Sequence, residues 1–105
     1  MAPAATLFHS LSDATRLAIV QRLALGEARV VDLVAGLGLP QSTVSTHLAC
    51  LRECGLVTGR PQGRQVFYRL SQLGLLELLT AAEIVLTGTG SAVALCPRYT
   101  SISDG

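Results

Sequence analysis

Cys50 and Cys54 lie four residues apart in THLACLRECGLV (46–57). On a helix that spacing makes them neighbours on successive turns, so both sulfurs can reach one ion. Thiolates select soft metal ions. Cys is also a small residue that packs well in cores, so two inert buried thiols are the competing reading. Two thiols do not complete a site. The missing ligand is expected to be Cys96, from the same chain or from a second copy. Three sulfurs with few oxygens suit cadmium or lead, whereas zinc would want a fourth ligand, commonly Cys or His. His47 lies one turn before Cys50 and is a weaker candidate, since a His there can also touch phosphate or pack.

The helix carrying these thiols is expected over 41–53, with Gly55 as its stop. At roughly 100° per residue, Val44, Leu48 and Leu51 share one face, which must be the core face. Gln41, Ser42, Ser45, Thr46 and Ala49 share a second. Small hydrogen-bonding side chains without long charges suit a helix that enters the major groove of DNA. A merely solvated face would be polar too. Thr43, His47, Cys50 and Cys54 form a third stripe, beside the core face and away from the DNA face.

The surrounding elements follow from punctuation. A short helix is expected over 4–11. Ser12 or Asp13 is an N-cap for the next, with Leu17, Val20, Leu23 and Ala24 at helical spacing and Gly26 as its stop. VVDLVAGL (30–37) is a further short helix ended by Gly38, and Gly38-Leu39-Pro40 is a tight connector. Helix, turn and helix in this register predict a helix-turn-helix. LVTGR (56–60) and QVFYRL (65–70) are strand-like, and PQGR between them is turn chemistry. A hairpin placed there is a wing. The fold class expected is mainly α with a β-hairpin wing, a dimeric winged helix-turn-helix.

A last helix over about 72–86 has leucines on several faces. An all-round apolar helix needs burial on all sides, so it is read as a dimer interface, with a central monomer helix as the alternative. The small, Gly-rich stretch before Cys96 reads as a flexible tail. Two parts are therefore expected: residues 1–87 as a DNA-binding and dimerisation domain, and 88–105 as a tail carrying a ligand Cys.

Bulk composition narrows the function classes. The chain has 105 residues, half of them hydrophobic and 14% charged, which fits one small domain rather than a disordered segment. Net charge is only +1, but 55–76 holds Arg60, Arg64 and Arg69 and no acid. Such a local basic strip can supply phosphate contacts. Candidate DNA contacts are Gln41, Ser42, Thr43, Ser45, Thr46 and His47 in the helix, and Arg60, Gln62 and Arg64 in the wing. No export signal is evident and the apolar run 73–86 is too short to span a bilayer, so a cytoplasmic protein without a membrane partner is expected. Two His, no paired carboxylates and no phosphate-binding loop argue against an enzyme.

SDATRLAIVQRL followed by LPQSTVSTHLACLRECGLVTGRPQGRQVFYRL resembles the ArsR–SmtB family of bacterial metal-sensing repressors, over about residues 8–71. The resemblance implies a dimeric winged helix that binds operator double-stranded DNA without metal and releases it when metal binds. Some members use Cys in the helix before the reading helix, but EARVVDLVAG has none. Others use Asp, His and Glu of the last helix, but LLELLTAAEIVL has no His. The combination of Cys50, Cys54 and a late Cys resembles a cadmium- and lead-sensing branch in which the late thiol comes from the other protomer. The tail sequence here differs from that branch, which leaves the protomer supplying Cys96 open. An oxidant- or arsenite-sensing repressor of the same fold is the competing function. A winged helix used only for protein contacts is another.

Overall fold

A computed structural model describes residues 2–90 and Leu95. The element order is α1 (Ala2–Leu11), α2 (Ala14–Leu23), α3 (Val30–Leu37), α4 (Gln41–Glu53), β1 (Val57–Gln62), β2 (Gln65–Leu70) and α5 (Gly74–Gly88). The chain divides into two compact units, Met1–Gln72 and Leu73–Gly105.

In the first unit, α2, α3 and α4 enclose an apolar core. Ile19 and Val20 of α2, Leu33 of α3, and Val44, Leu48 and Leu51 of α4 are almost fully buried. The period expected for α4 is thus the observed one. Asp13 is the N-cap of α2; its Oδ1 accepts from the backbone N–H of Thr15 (2.8 Å) and Arg16 (3.0 Å). α2 ends at Leu23, before Gly26, as its cap turns on Ala24. α3 stops where Gly38 takes a left-handed conformation, φ 69°, a region that costs a side-chain-bearing residue energy.

α4 ends in a Schellman arrangement. Leu56 N–H donates to Leu51 O and Gly55 N–H to Arg52 O, both at 3.0 Å, with Gly55 at φ 77°. This closure fixes Cys54 as the C-cap residue.

β1 and β2 form an antiparallel hairpin from Val57↔Leu70 to Gln62↔Gln65. Only Gly63 and Arg64 remain as the turn. Pro61 and Gln62, expected in the turn, belong to β1; a two-stranded sheet has only edges, where Pro is tolerated. Ala28, between α2 and α3, pairs with Tyr68 through N–H···O bonds of 3.0 and 2.8 Å. Gly59 is needed for close approach: a Cβ there would lie 2.9 Å from Val66 Cγ1 and 3.1 Å from Tyr68 Cε1. Helix-turn-helix α3–α4 followed by this hairpin is a winged helix-turn-helix.

The second unit contains α5. Leu75, Leu79 and Glu83 are its buried stripe, while Leu73, Ile84 and Val85 are exposed. The helix begins two residues later than expected. Ser71 is held by Leu56 O and Gly55 O, which keeps the chain extended up to that point. Glu83 accepts a hydrogen bond from the Leu95 backbone N–H. No helix among the described residues is long and apolar enough to cross a membrane.

Candidate nucleic-acid interface and thiol pair

The exposed face of α4 carries Gln41, Ser42, Ser45, Thr46 and Ala49. Thr46 Oγ1 donates to Ser42 O at 2.9 Å, so its hydroxyl retains the capacity to accept. Pro40 is the N-cap, with no side-chain cap for the first turn. The first amides of α4 therefore lack an intrahelical partner. Gln41 shares the rim of a cavity of about 380 Å³ with Arg64 and Gln65 of the hairpin, over a floor that includes Val30, Val34 and Val66. Helix start and hairpin tip thus border one groove.

The expected wing contacts differ in environment. Arg64 and Gln62 are exposed. Arg60 is exposed as well, but its guanidinium is engaged: Nη2 lies 2.7 Å from Glu27 Oε1, Nε 3.3 Å from Glu27 Oε2, and Nη1 2.6 Å from Gln62 Oε1. It also lies 5.2 Å from the Phe67 ring centroid, within cation–π range. The Arg60 hydrogen bonds hold the Glu27 carboxyl below its ordinary pKa. Arg29 is likewise taken by Asp32, with Nε–Oδ2 at 2.9 Å and Nη2–Oδ1 at 2.8 Å, which pushes the Asp32 pKa far down.

The third stripe of α4 is half-buried at each of Thr43, His47, Cys50 and Cys54. It faces the end of α1 and the start of α2. His47 turns there rather than outward: Nδ1 is 3.5 Å from Arg16 Nη1, and Nε2 is 4.0 Å from Asp13 Oδ1. Backbone hydrogen bonding, first from Arg16, then from Thr15, with the nearby His47 and Arg16 charges, lowers the Asp13 pKa. Arg16 also donates from Nε to Ser10 O (2.7 Å) and from Nη2 to His9 O (3.3 Å). These are late carbonyls of α1, and His9 O also accepts from the Ser12 backbone N–H (3.1 Å) and from Ser12 Oγ (2.7 Å).

Cys54 Sγ is hydrogen-bonded to Ser10 Oγ at 2.8 Å, and Ser10 Oγ donates to Thr6 O at 2.9 Å. Ser10 is buried, at 2% exposure. Cys50 and Cys54 are free thiols, both partly accessible. Among the described residues no group of three His, Cys, Asp or Glu is placed to hold a metal ion. Cys96 lies outside the described residues. Cys50 lies in the last turn of α4 and Cys54 caps it.

Sequence reading did not single out Ser10, Arg16 or Glu27 as partners of these groups. Asp13 and Arg16 fall within SDATRLAIVQRL, part of the stretch that carries the family resemblance, but nothing local to it points to His47, over thirty positions away.

Fold and reading helix together define a winged helix-turn-helix regulator. Residues 13–58 match the family described as bacterial regulatory protein, arsR family. A probable mercury resistance operon repressor of Streptomyces lividans is 32% identical over 94 residues, spanning 90% of this chain and 75% of that protein. The chain belongs to the arsR family of bacterial regulatory proteins.

Two further relatives match over shorter spans. The arsenical resistance operon repressor of Escherichia coli K12 is 53% identical over 66 residues, 62% of this chain and 56% of that protein. The HTH-type transcriptional regulator CmtR of Mycobacterium bovis is 45% identical over 75 residues, 71% of this chain and 64% of that protein. Among solved structures, a homodimeric winged helix-turn-helix DNA-binding domain from Mycobacterium bovis, a possible ArsR-family regulator, superposes with TM-score 0.74 at 28% identity. That match covers 81% of this chain and 79% of the other.

Proposed function

We propose that the protein is a cytoplasmic, homodimeric transcriptional repressor. It holds operator DNA when metal-free and lets go when Cys50, Cys54 and Cys96 take a soft ion, cadmium or lead. The observation that carries this reading is the division of α4. Its exposed face offers Gln41, Ser42, Ser45 and Thr46, while its half-buried back offers two thiols on adjacent turns. Reading element and ligand pair are one helix, so an ion bound behind acts on the groove contacts in front. The repressors of mercury and arsenical resistance among its relatives and the likeness to CmtR support the same direction.

Each protomer would place α4 in a major groove, with Arg64 and Gln62 of the hairpin on the flanking backbone. Gln41 and Ser42 at the uncapped helix start present amides suited to phosphate. The exposed Leu73, at the N-cap of α5, and Ile84 and Val85 within it supply apolar surface for pairing with a second copy. Residues 1–87 then serve binding and dimerisation, and 88–105 deliver Cys96, from its own chain or the partner.

An ion that releases DNA must bind the DNA-incompetent state more tightly, and operator must weaken ion binding by the same factor. The test is a titration of operator binding against cadmium, lead and zinc, repeated with Cys50→Ser, Cys54→Ser and Cys96→Ser. Cadmium is expected to raise sulfur-to-metal charge-transfer absorbance and to release operator, and each substitution to weaken both. Equal cadmium affinity with and without operator overturns the reading.

The likeness to an arsenical resistance repressor favours arsenite as a second effector. Trivalent arsenic also takes three sulfurs. Release by arsenite and not by cadmium would select it.

A further inference from the structure

We propose that Ser10 is a positioning residue that sets how strongly ion binding at Cys54 is coupled to the reading helix. The inference rests on the thiol-site reading above.

The end of α1 is tied to α4 at two points on one stripe. At the first, Arg16 joins the carbonyls of His9 and Ser10 to His47 Nδ1. At the second, two turns further along α4, the Ser10 hydroxyl meets Cys54 Sγ at 2.8 Å. Ser10 therefore belongs to both ties, through its carbonyl and through its hydroxyl. It is buried, so no water replaces a lost partner at low cost.

The donor inventory shows why an ion disturbs this arrangement. A serine hydroxyl has one proton, and that of Ser10 goes to Thr6 O at 2.9 Å. The S–H of Cys54 is then the donor to Ser10 Oγ. A sulfur bonded to a metal ion has released its proton to water and donates nothing. To keep the contact, Ser10 must turn its own proton from Thr6 O to the sulfur, giving up the side-chain bond that ties it to α1. Otherwise the contact is lost. Either outcome loosens the α1 end whose carbonyl anchors Arg16, and Arg16 is the residue that holds His47 on α4. Ser10 thus opposes the ion in the metal-free state and passes its arrival to the reading helix.

The test compares wild type, Ser10→Ala and Ser10→Thr. Cadmium affinity is read from charge-transfer absorbance, operator affinity with and without cadmium from fluorescence anisotropy, and the His47 ring from NMR. Ser10→Ala is expected to bind cadmium roughly fivefold tighter, the worth of one net hydrogen bond. It should reduce the ratio of metal-free to cadmium-loaded operator affinity by a similar factor. The cadmium-induced shift of the His47 ring signals should shrink. Ser10→Thr keeps the hydroxyl and should restore the wild-type ratio. Wild-type cadmium affinity and ratio in Ser10→Ala, with cadmium still releasing DNA from wild type, overturn the role of Ser10 alone. Absence of a sulfur–cadmium band in wild type overturns the thiol site and this inference together.

Discussion

Arg60 and Glu27 form a two-pronged ion pair, Nη2–Oε1 at 2.7 Å and Nε–Oε2 at 3.3 Å, that joins the hairpin to the loop between α2 and α3. With Nη1 on Gln62, all three guanidinium nitrogens have partners within the chain. A guanidinium so engaged props the wing, with three of its five N–H donors committed within the chain.

Arg60 and Arg64 should therefore behave differently in operator binding. Arg64→Ala is expected to flatten the dependence of log affinity on log salt by about one counterion. Arg60→Ala should leave that slope nearly unchanged while lowering the melting temperature. A salt series of binding isotherms for both variants checks this, and an equal loss of slope for Arg60→Ala would place it on the phosphate backbone.

Asp13 gives a pH dependence with a definite sign. Its pKa is lowered in the folded chain, so it stabilises the fold above the ordinary carboxylate value of about 3.9. That contribution disappears as pH falls through the lowered value. Asn also caps helices well, so Asp13→Asn isolates the charge. In urea unfolding the deficit of Asp13→Asn should be present at pH 7 and narrow toward pH 2. A deficit independent of pH would contradict the assignment.

The two faces of α4 should separate stability from recognition. Leu48 is 2% exposed, and Leu48→Ala should cost about 2–5 kcal/mol by leaving a cavity. Ser45 is exposed, so Ser45→Ala should change stability by less than about 0.5 kcal/mol yet weaken operator binding. Chemical denaturation and anisotropy on the same preparations measure both.

Gly59→Ala should destabilise by roughly 1–3 kcal/mol, the usual range for overpacking. The new methyl would press on Val66 Cγ1 at 2.9 Å and on the Tyr68 ring, and Tyr68 is pinned by its backbone pairing with Ala28. Thermal unfolding of the variant measures it. A wild-type melting temperature would mean the hairpin yields.

Much of the frame could be read from sequence because its signals are local. Gly38 and Pro40 bracket the turn, Gly55 ends α4, and the apolar period of Val44, Leu48 and Leu51 fixes which face is buried. The exposed polar face and the half-buried thiol stripe follow from the same wheel. What sequence could not supply was pairing at a distance. Ser10 and Cys54 are 44 positions apart, and Glu27 and Arg60 are 33 apart. No periodicity records such partnerships; they arise only once α1, α2 and the hairpin have packed. His47 shows the consequence, since the same polarity that suits a phosphate contact also suits Arg16 and Asp13. The turn PQGR was misplaced by two residues because Pro and Gln read as turn formers, whereas an edge strand accommodates both.

The Ala28–Tyr68 bridge has a consequence for timing. A hairpin fastened only at its base would sample many orientations, and each encounter with DNA would have to freeze it anew. Here the paired backbone of Ala28 and Tyr68, with the Glu27–Arg60 prop beside it, removes that freedom once, when the chain folds. A wing ordered in advance has less freedom to give up to whatever partner it meets, so less of the binding free energy goes into ordering it.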